Sequence, residues 1–300
     1  MDLELLCKNA CVAKRVLGKL STGEKNNVLV KVADALVANA DDIIAANAID
    51  VENGKANGMS QGLIDRLMLT TARIEDMALG LKQVADLPDP IGEVTDMSKR
   101  PNGMIVGKRR VPMGVIGIIY EARPNVTSDA FGLCFKTGNA VILKGGSDAI
   151  NSNKKIVEVI RNTVAGAGVT ADAVQLIEST DRETTTKFMR MNSYVDLLIP
   201  RGSAGLIKAT VENATIPVIE TGTGNCHVYV DETADMEMAK NILVNAKTQR
   251  IGVCNACESL VIHENILEKF LPVAVEALNN YNVEIRTRLV LLSTLSAMAR

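Results

Sequence analysis

The chain has 300 residues, 47% of them hydrophobic, and sets 33 Lys and Arg against 35 Asp and Glu for a formal net charge of −2. That length and apolar content suffice for one large or two ordinary domains around a real core. Dispersed cations and 3% aromatics argue against nucleic-acid binding, and no apolar run approaches membrane-spanning length, so the default location is cytoplasmic.

Residues 1 to about 87 read as helices. The opening MDLELLCKNACVAKR is amphipathic and carries acids, which marks a first helix and not a signal or transit peptide. Ser21 to Glu24 has the spacing of a capping box, ahead of Leu29, Val32, Ala33, Leu36 and Val37 at helical period. A further helix is expected from Asn39 to the Gly54 region, and another from Thr71 to Asp86, stopped by Pro88 and Pro90. Asn102-Gly103 is a hairpin signal and predicts a β-ribbon near 96–112. Ribbons of this kind often reach out to pair with another subunit.

From Val115 the pattern changes. Short apolar runs VIGII (115–119), AVIL (140–143), VQLI (174–177), VDLLI (195–199) and PVI (217–219) alternate with helical segments, which predicts βαβ units and a parallel sheet. The turns EARPNVTSD, KGGSDA and PRGSAG come after the first, second and fourth runs, at the strand ends where open parallel sheets bind ligands. Gly202-Ser203 opens a helix, either as an anion site at its free amides or simply as a cap. Lys144 with Gly145 and Gly146 puts a cation on a close-approach loop. No G-x-G-x-x-G is present, so these turns define a nucleotide-sized α/β site and no more.

Beyond Gly224, CHVYVD (226–231) alternates as a strand, Ala234 to Thr248 is an amphipathic helix, SLVIH is strand-like, and a helix runs from about Glu264 to Asn279. The expected division is a first domain at 1–225 and a second at 226–300. The second is short for a full domain, so it is expected to be incomplete at the C-terminus.

The stretch KTQRIGVCNACES (247–259) places Cys254 in a small, polar segment after Lys247 and Arg250. A nucleophilic thiolate needs such an exposed, electropositive setting, whereas a structural cysteine of the same size would be buried. Both readings are open for Cys254. Six cysteines in a chain of this size do not make a disulfide framework. Cys254 and Cys257 form a C-x-x-C, but no second pair supports zinc, and Cys226, His227 and His263 would be the needed partners; no metal is expected. Glu220 lies upstream in PVIETGTGN.

Four stretches, RRVPMGVIGIIYEARPNVTSDAFGLCFKTGNAVILKGGSDAINSN, DLLIPRGSAGLI, PVIETGTGNCHVYVD and KTQRIGVCNACESLVIH, together resemble the aldehyde dehydrogenase superfamily, in the branch that reduces gamma-glutamyl phosphate in proline biosynthesis. With the helical N-terminus the likeness extends to about residue 286. It implies an aldehyde-dehydrogenase-like α/β fold, with a Rossmann-like parallel-sheet cofactor domain and an α/β catalytic domain. The implied reaction is NADPH-dependent reduction of L-glutamyl 5-phosphate to L-glutamate 5-semialdehyde and phosphate. On the matching positions, Cys254 is the nucleophile that carries a thioester and Asn125 helps to hold the oxyanion. Glu220 matches a glutamate that activates water in hydrolytic members; here proton handling, cofactor placement and mere inheritance are the readings to weigh. Lys144 matches a lysine on the adenosine ribose, and Gly202 and Ser203 match the helix start near the cofactor pyrophosphate. Arg123 and Arg250 are candidates for the substrate phosphate and carboxylate, with a salt bridge or surface charge as the alternative. A homo-oligomer is expected, and glutamate 5-kinase is a candidate partner because acyl phosphates are labile. A hydrolytic or CoA-acylating dehydrogenase, or a shortened non-catalytic subunit, are the other readings.

Overall fold

In the computed structural model, which describes residues 2–222, 224–251 and 253–286, five α-helices precede the first strand. Helix α1 (Leu3–Leu17) buries Leu3, Leu6, Ala10, Ala13 and Leu17, a stripe at helical spacing. Ser21 and Glu24 form the reciprocal capping box that starts α2 (Thr22–Ala38). Helix α3 (Ala40–Ala56) comes next, then a short α4 (Gln61–Leu67) with no counterpart in the sequence reading, and α5 (Thr71–Asp86), capped by the Thr70 hydroxyl. Strands β1 (Val94–Lys99) and β2 (Ile105–Arg109) pair antiparallel across a turn in which Gly103 adopts φ +86°, open to glycine at little cost. Almost every residue of this ribbon is exposed.

The sheet is built from β3 (Val115–Tyr120), β4 (Ala140–Lys144), β5 (Val174–Leu176) and β6 (Leu197–Arg201), all parallel, in the order β5-β4-β3-β6. Helices α6 (Asn125–Lys136), α7 (Ile150–Gly166) and α8 (Arg182–Phe188) intervene in the chain between these strands, and α9 (Ala204–Asn213) comes after β6. Every residue of β3, β4 and β5 is buried, as expected of strands covered on both faces. A Cβ on Gly117 would come within 2.5 Å of Leu198 Cδ2 and 2.8 Å of Phe188 Cζ, so β3 needs a bare backbone there. The expected strand PVI is reduced to one parallel bridge, Val218 to Leu198, flanked by hydrogen bonds from Leu198 N–H to the Pro217 carbonyl and from Ile219 N–H to the Leu198 carbonyl. Pro217 has no N–H to lengthen the ladder.

The chain divides into two compact units, the first ending at Thr221. The second unit pairs β7 (His227–Val230) in parallel with β8 (Ser259–Ile262), with α10 (Met236–Thr248) as the crossover and α11 (Leu267–Asn279) beyond. Its own core gathers Val230, Leu243, Cys257, Phe270 and Ala274. Of the second domain expected at 226–300, residues 287–300 lie outside the described residues. No helix among the described residues is long and apolar enough to cross a membrane.

One buried polar cluster joins α2, α6 and the end of α5. Lys25, 2% exposed, forms an ion pair with Asp89, which also accepts from the Thr22 hydroxyl (2.9 Å) and the Ile91 N–H (3.0 Å). Lys136, equally buried, donates to Asn26 Oδ1 (2.6 Å) and the Ala85 carbonyl (2.7 Å). Burial works to raise the Asp89 carboxyl, but the bonds from Lys25, Ile91 and Thr22 outweigh it and hold the group below its ordinary value. Its contribution is therefore complete above the usual carboxylate range and lost as pH falls through the lowered value. Lys25→Met leaves that carboxylate buried without its cation. The variant is expected to lose about 3–5 kcal/mol in urea unfolding at neutral pH, and a smaller difference between the two proteins is expected below the Asp89 transition.

Candidate active site

The polar residues of the first unit collect where β3, β4 and β6 end. Residues Ile119 and Lys144 pair across the sheet, as do Tyr120 and Arg201, so the three turns beyond these strands leave from one edge. Beneath them lies a buried chain of side chains. The Tyr120 hydroxyl meets Thr127 Oγ1 at 2.8 Å, and Thr127 donates to Asn153 Oδ1 at 2.9 Å, linking β3, α6 and α7. Among the described residues the buried Asn153 Nδ2 has no hydrogen-bond partner, and it would lie 2.3 Å from a Cβ on Gly145.

Asn125 is the first residue of α6, placed there by Pro124, whose fixed φ suits a helix start. Its side-chain Nδ2 donates to Asp129 Oδ2 at 3.2 Å, one turn along the same helix face. Asn125 and Asp129 both remain open to solvent. The close surroundings of Asp129 raise its carboxyl above the ordinary value, partly offset by the Asn125 bond and the Arg201 charge. Arg123 lies half-buried in the preceding turn.

Lys144 ends β4 and is buried, with its ammonium donated to the Gly145 carbonyl at 2.9 Å. Burial lowers its basicity, with the Asp181 charge opposing. Ser203 caps α9, accepting from the Leu206 N–H at 3.4 Å. Both the Ser203 N–H (2.9 Å) and its hydroxyl (2.6 Å) donate to Glu121 Oε1. A Cβ on Gly202 would stand 2.7 Å from Glu121 Cδ. The helix start thus already holds an anion, supplied by the chain itself. Glu220 comes just after the Val218 bridge and is exposed.

A cavity of about 980 Å³ in the first unit reaches this edge at Arg201 and extends back past Met113 toward the amino end of β3, lined largely by apolar side chains such as Val84, Ile118, Val126, Leu133 and Ile199. Sequence reasoning does not single out Glu121 or Asp129. Asp129 stands four residues after Asn125 in a helix, and that spacing is the one available signal.

In the second unit Cys254 sits in the turn between α10 and β8 and is exposed, as are Asn255 and Arg250. Its carbonyl accepts from the Cys226 thiol at 3.5 Å. Cys257, three residues on, is buried, with its N–H on the Ala246 carbonyl (2.9 Å) and its carbonyl capped by the Lys247 ammonium (2.9 Å). Lys247 is thus committed to the turn's backbone. The six cysteines are free thiols, and no group of His, Cys, Asp and Glu among the described residues could hold a metal ion. The structure therefore gathers Arg123, Asn125, Lys144, Gly202 and Ser203 on one edge of the first unit, while Cys254 and Arg250 share a turn of the second.

A parallel sheet with polar strand ends, joined to a smaller unit bearing an exposed cysteine, agrees with what comparison shows. The chain belongs to the aldehyde dehydrogenase family, a family of oxidoreductases, whose profile matches residues 1–288. It is 58% identical over 285 residues to the gamma-glutamyl phosphate reductase of Lachnospira eligens, covering 95% of this chain and 69% of that one. The gamma-glutamyl phosphate reductase of Agathobacter rectalis is also 58% identical, over 284 residues, with 95% and 68% covered. Among solved structures, gamma-glutamyl phosphate reductase from Thermotoga maritima superposes with a TM-score of 0.85 at 45% identity, over 95% of this chain and 69% of its own. The family implies a nicotinamide cofactor. The buried Lys144, the bare turn at Gly145 and Gly146, and the start of α9 are groups that fit a phosphate-bearing nucleotide.

Thiol accessibility separates the two cysteines of the C-x-x-C directly. A water-soluble disulfide reagent is expected to modify Cys254 in its fastest phase, and Cys254→Ser to remove that phase. Cys7 and Cys134, pushed up to about 12 by burial, stay unreactive until the protein unfolds.

Proposed function

We propose that the chain reduces L-glutamyl 5-phosphate to L-glutamate 5-semialdehyde, with NADPH as reductant and a thioester on Cys254. The observation that carries this reading is the 58% identity over 285 residues to a gamma-glutamyl phosphate reductase. The exposure of the Cys254 thiol supports it. In this reading residues 1–225 bind the cofactor and those from 226 on bring the nucleophile.

The Cys254 thiolate adds to the acyl carbon, the carbon–oxygen bond to phosphate breaks, and phosphate leaves with the electron pair. Bound NADPH supplies a hydride to the thioester carbon. Collapse of the thiohemiacetal then breaks the carbon–sulfur bond, releases the aldehyde and returns the thiolate. Negative charge grows on the acyl oxygen in both additions. Asn125 Nδ2 and the Cys254 N–H are the donors assigned to it, each worth about 2.7–4 kcal/mol in sites of this kind. An amide carries two N–H donors, so Asn125 can serve the oxyanion while keeping Asp129.

Lys144, Gly202 and Ser203 are assigned to the cofactor, Lys144 to its adenosine ribose and the α9 start to its pyrophosphate. Glu121 gives up the Ser203 N–H for this, because one donor cannot serve two anions. Arg123 and Arg250 are assigned to the substrate's anionic groups. Glu220 is assigned to proton handling, since activating water would hydrolyse the thioester. The exposed β1–β2 ribbon is the element assigned to pairing with a second copy, and glutamate 5-kinase, which forms the labile acyl phosphate, is the partner to test.

The reverse reaction tests the reading: L-glutamate 5-semialdehyde and NADP⁺, with and without inorganic phosphate, monitored by NADPH absorbance. NADPH formation that requires phosphate is expected; formation without it would instead mean hydrolysis and would overturn the proposal. Cys254→Ala is expected to abolish turnover while leaving cofactor binding nearly unchanged. Cys257→Ala is expected to retain activity, and a reversal of those two results would reassign the nucleophile. Asn125→Ala is expected to lower kcat by about 10²–10³.

A further inference from the structure

The cavity beside the sheet edge has an apolar wall with three charged side chains in it, Asp129, Arg110 and Arg201. Arg110 is already committed, its Nε 2.8 Å from Glu93 Oε2. Among the described residues Arg201 makes no ion pair or side-chain hydrogen bond, and its field reaches Asp129. A carboxylate and an uncommitted guanidinium set into one apolar cavity suit a zwitterion on a short hydrocarbon chain. We propose that Asp129 and Arg201 hold the α-ammonium and α-carboxylate of the amino-acid substrate in this cavity, with its side-chain acyl group at Asn125, which leaves Arg123 and Arg250 to the phosphate.

This inference rests on the proposed glutamyl phosphate reduction and says how its substrate is recognised. The spacing of the two residues along α6 is comparable with the length of the substrate chain. In a glutamyl group four bonds separate the acyl carbon from the α-nitrogen, a reach that matches one helical turn of about 5.4 Å. Asn125 and Asp129 are spaced by that turn on one helix face and are hydrogen-bonded at 3.2 Å. A substrate laid along α6 would place its reacting carbonyl at the Asn125 amide and its ammonium at the Asp129 carboxylate. The methylenes between would meet the apolar wall around Val126 and Leu133. Asp129 has four lone-pair sites, so accepting from Asn125 leaves room for an ammonium. An analogue without the ammonium would leave that carboxylate unmatched against an apolar wall, which is the strongest basis for rejecting it.

The experiment compares three aldehydes in the reverse reaction with NADP⁺ and inorganic phosphate: L-glutamate 5-semialdehyde, 5-oxopentanoate without the amino group, and 4-aminobutanal without the carboxylate. The readout is the ratio of kcat/KM values for the semialdehyde and each analogue. Comparing the same ratio between protein variants cancels the cyclisation of the amino aldehydes. Asp129→Asn is expected to shrink the preference over 5-oxopentanoate by roughly 10- to 100-fold, and Arg201→Met to do the same for the preference over 4-aminobutanal. Both side chains are exposed, so circular dichroism melts near the wild-type value are expected. Should Asp129→Asn depress both aldehydes in equal proportion, the residue serves only to orient Asn125 and the inference is overturned. Wild-type protein inactive on the semialdehyde with phosphate would overturn the functional reading as well, and that result is seen before any variant is made.

Discussion

Strand β3 is the constraint on which the first unit depends. It is hydrogen-bonded in parallel to β4 on one edge and to β6 on the other, and all six of its residues are buried. A strand enclosed in this way is apolar along most of its length, and its one polar group, the Tyr120 hydroxyl, is spent on Thr127, so its chemistry is confined to the turn at its carboxyl end. The chain moves from β3 out to β4 and β5, then returns to β6 on the opposite side. The turns after β3 and β6 therefore diverge from adjacent strands, the place where open sheets offer a crevice. Glu121, Arg123 and Asn125 come from the first of these turns, and Gly202 and Ser203 from the second. Gly117 belongs to the same constraint, since any side chain there would push β3 off Leu198 and Phe188.

Much of this architecture was legible in the sequence because a buried parallel strand announces itself as an uninterrupted apolar run. VIGII, AVIL and VQLI became strands almost as read, and α5 took the predicted bounds. The departures have local causes. VDLLI slid to Leu197–Arg201, because Asp196 turns its carboxylate to the Val115 N–H (2.7 Å) and the Lys14 ammonium (2.8 Å), tying the chain before the strand begins. PVI could not become a full strand with a proline at its head. The short α4 has too few residues for a periodic pattern to register, and its place is set by Ile64 and Leu67 packing on Val51.

The site was less legible, and the reason is tertiary. Turn composition located the strand ends and the cysteine segment. It could not say that Glu121 would reach across to Ser203, which lies 82 residues away in sequence. Nor could it separate Cys254 from Cys257. Both stand in the same four-residue motif with no helical or strand period to assign a face. The difference comes from the backbone, which anchors the Cys257 N–H to the end of α10 and folds that side chain into the core, while Cys254 lies on the outer part of the turn.

The clasp between Glu121 and Ser203 changes how the start of α9 behaves toward its surroundings. An empty helix start is a standing attractor for any small anion, and in a salt-rich milieu it would be occupied much of the time by sulfate, chloride or free phosphate. With a tethered carboxylate in place, a competitor must displace a group held at high local concentration, and a single weakly bound ion gains little by doing so. A ligand that engages several points of the edge together retains its advantage. The internal anion therefore acts as a filter for multipoint ligands, and it makes encounter at this helix end less sensitive to ionic strength than a bare positive pole would be.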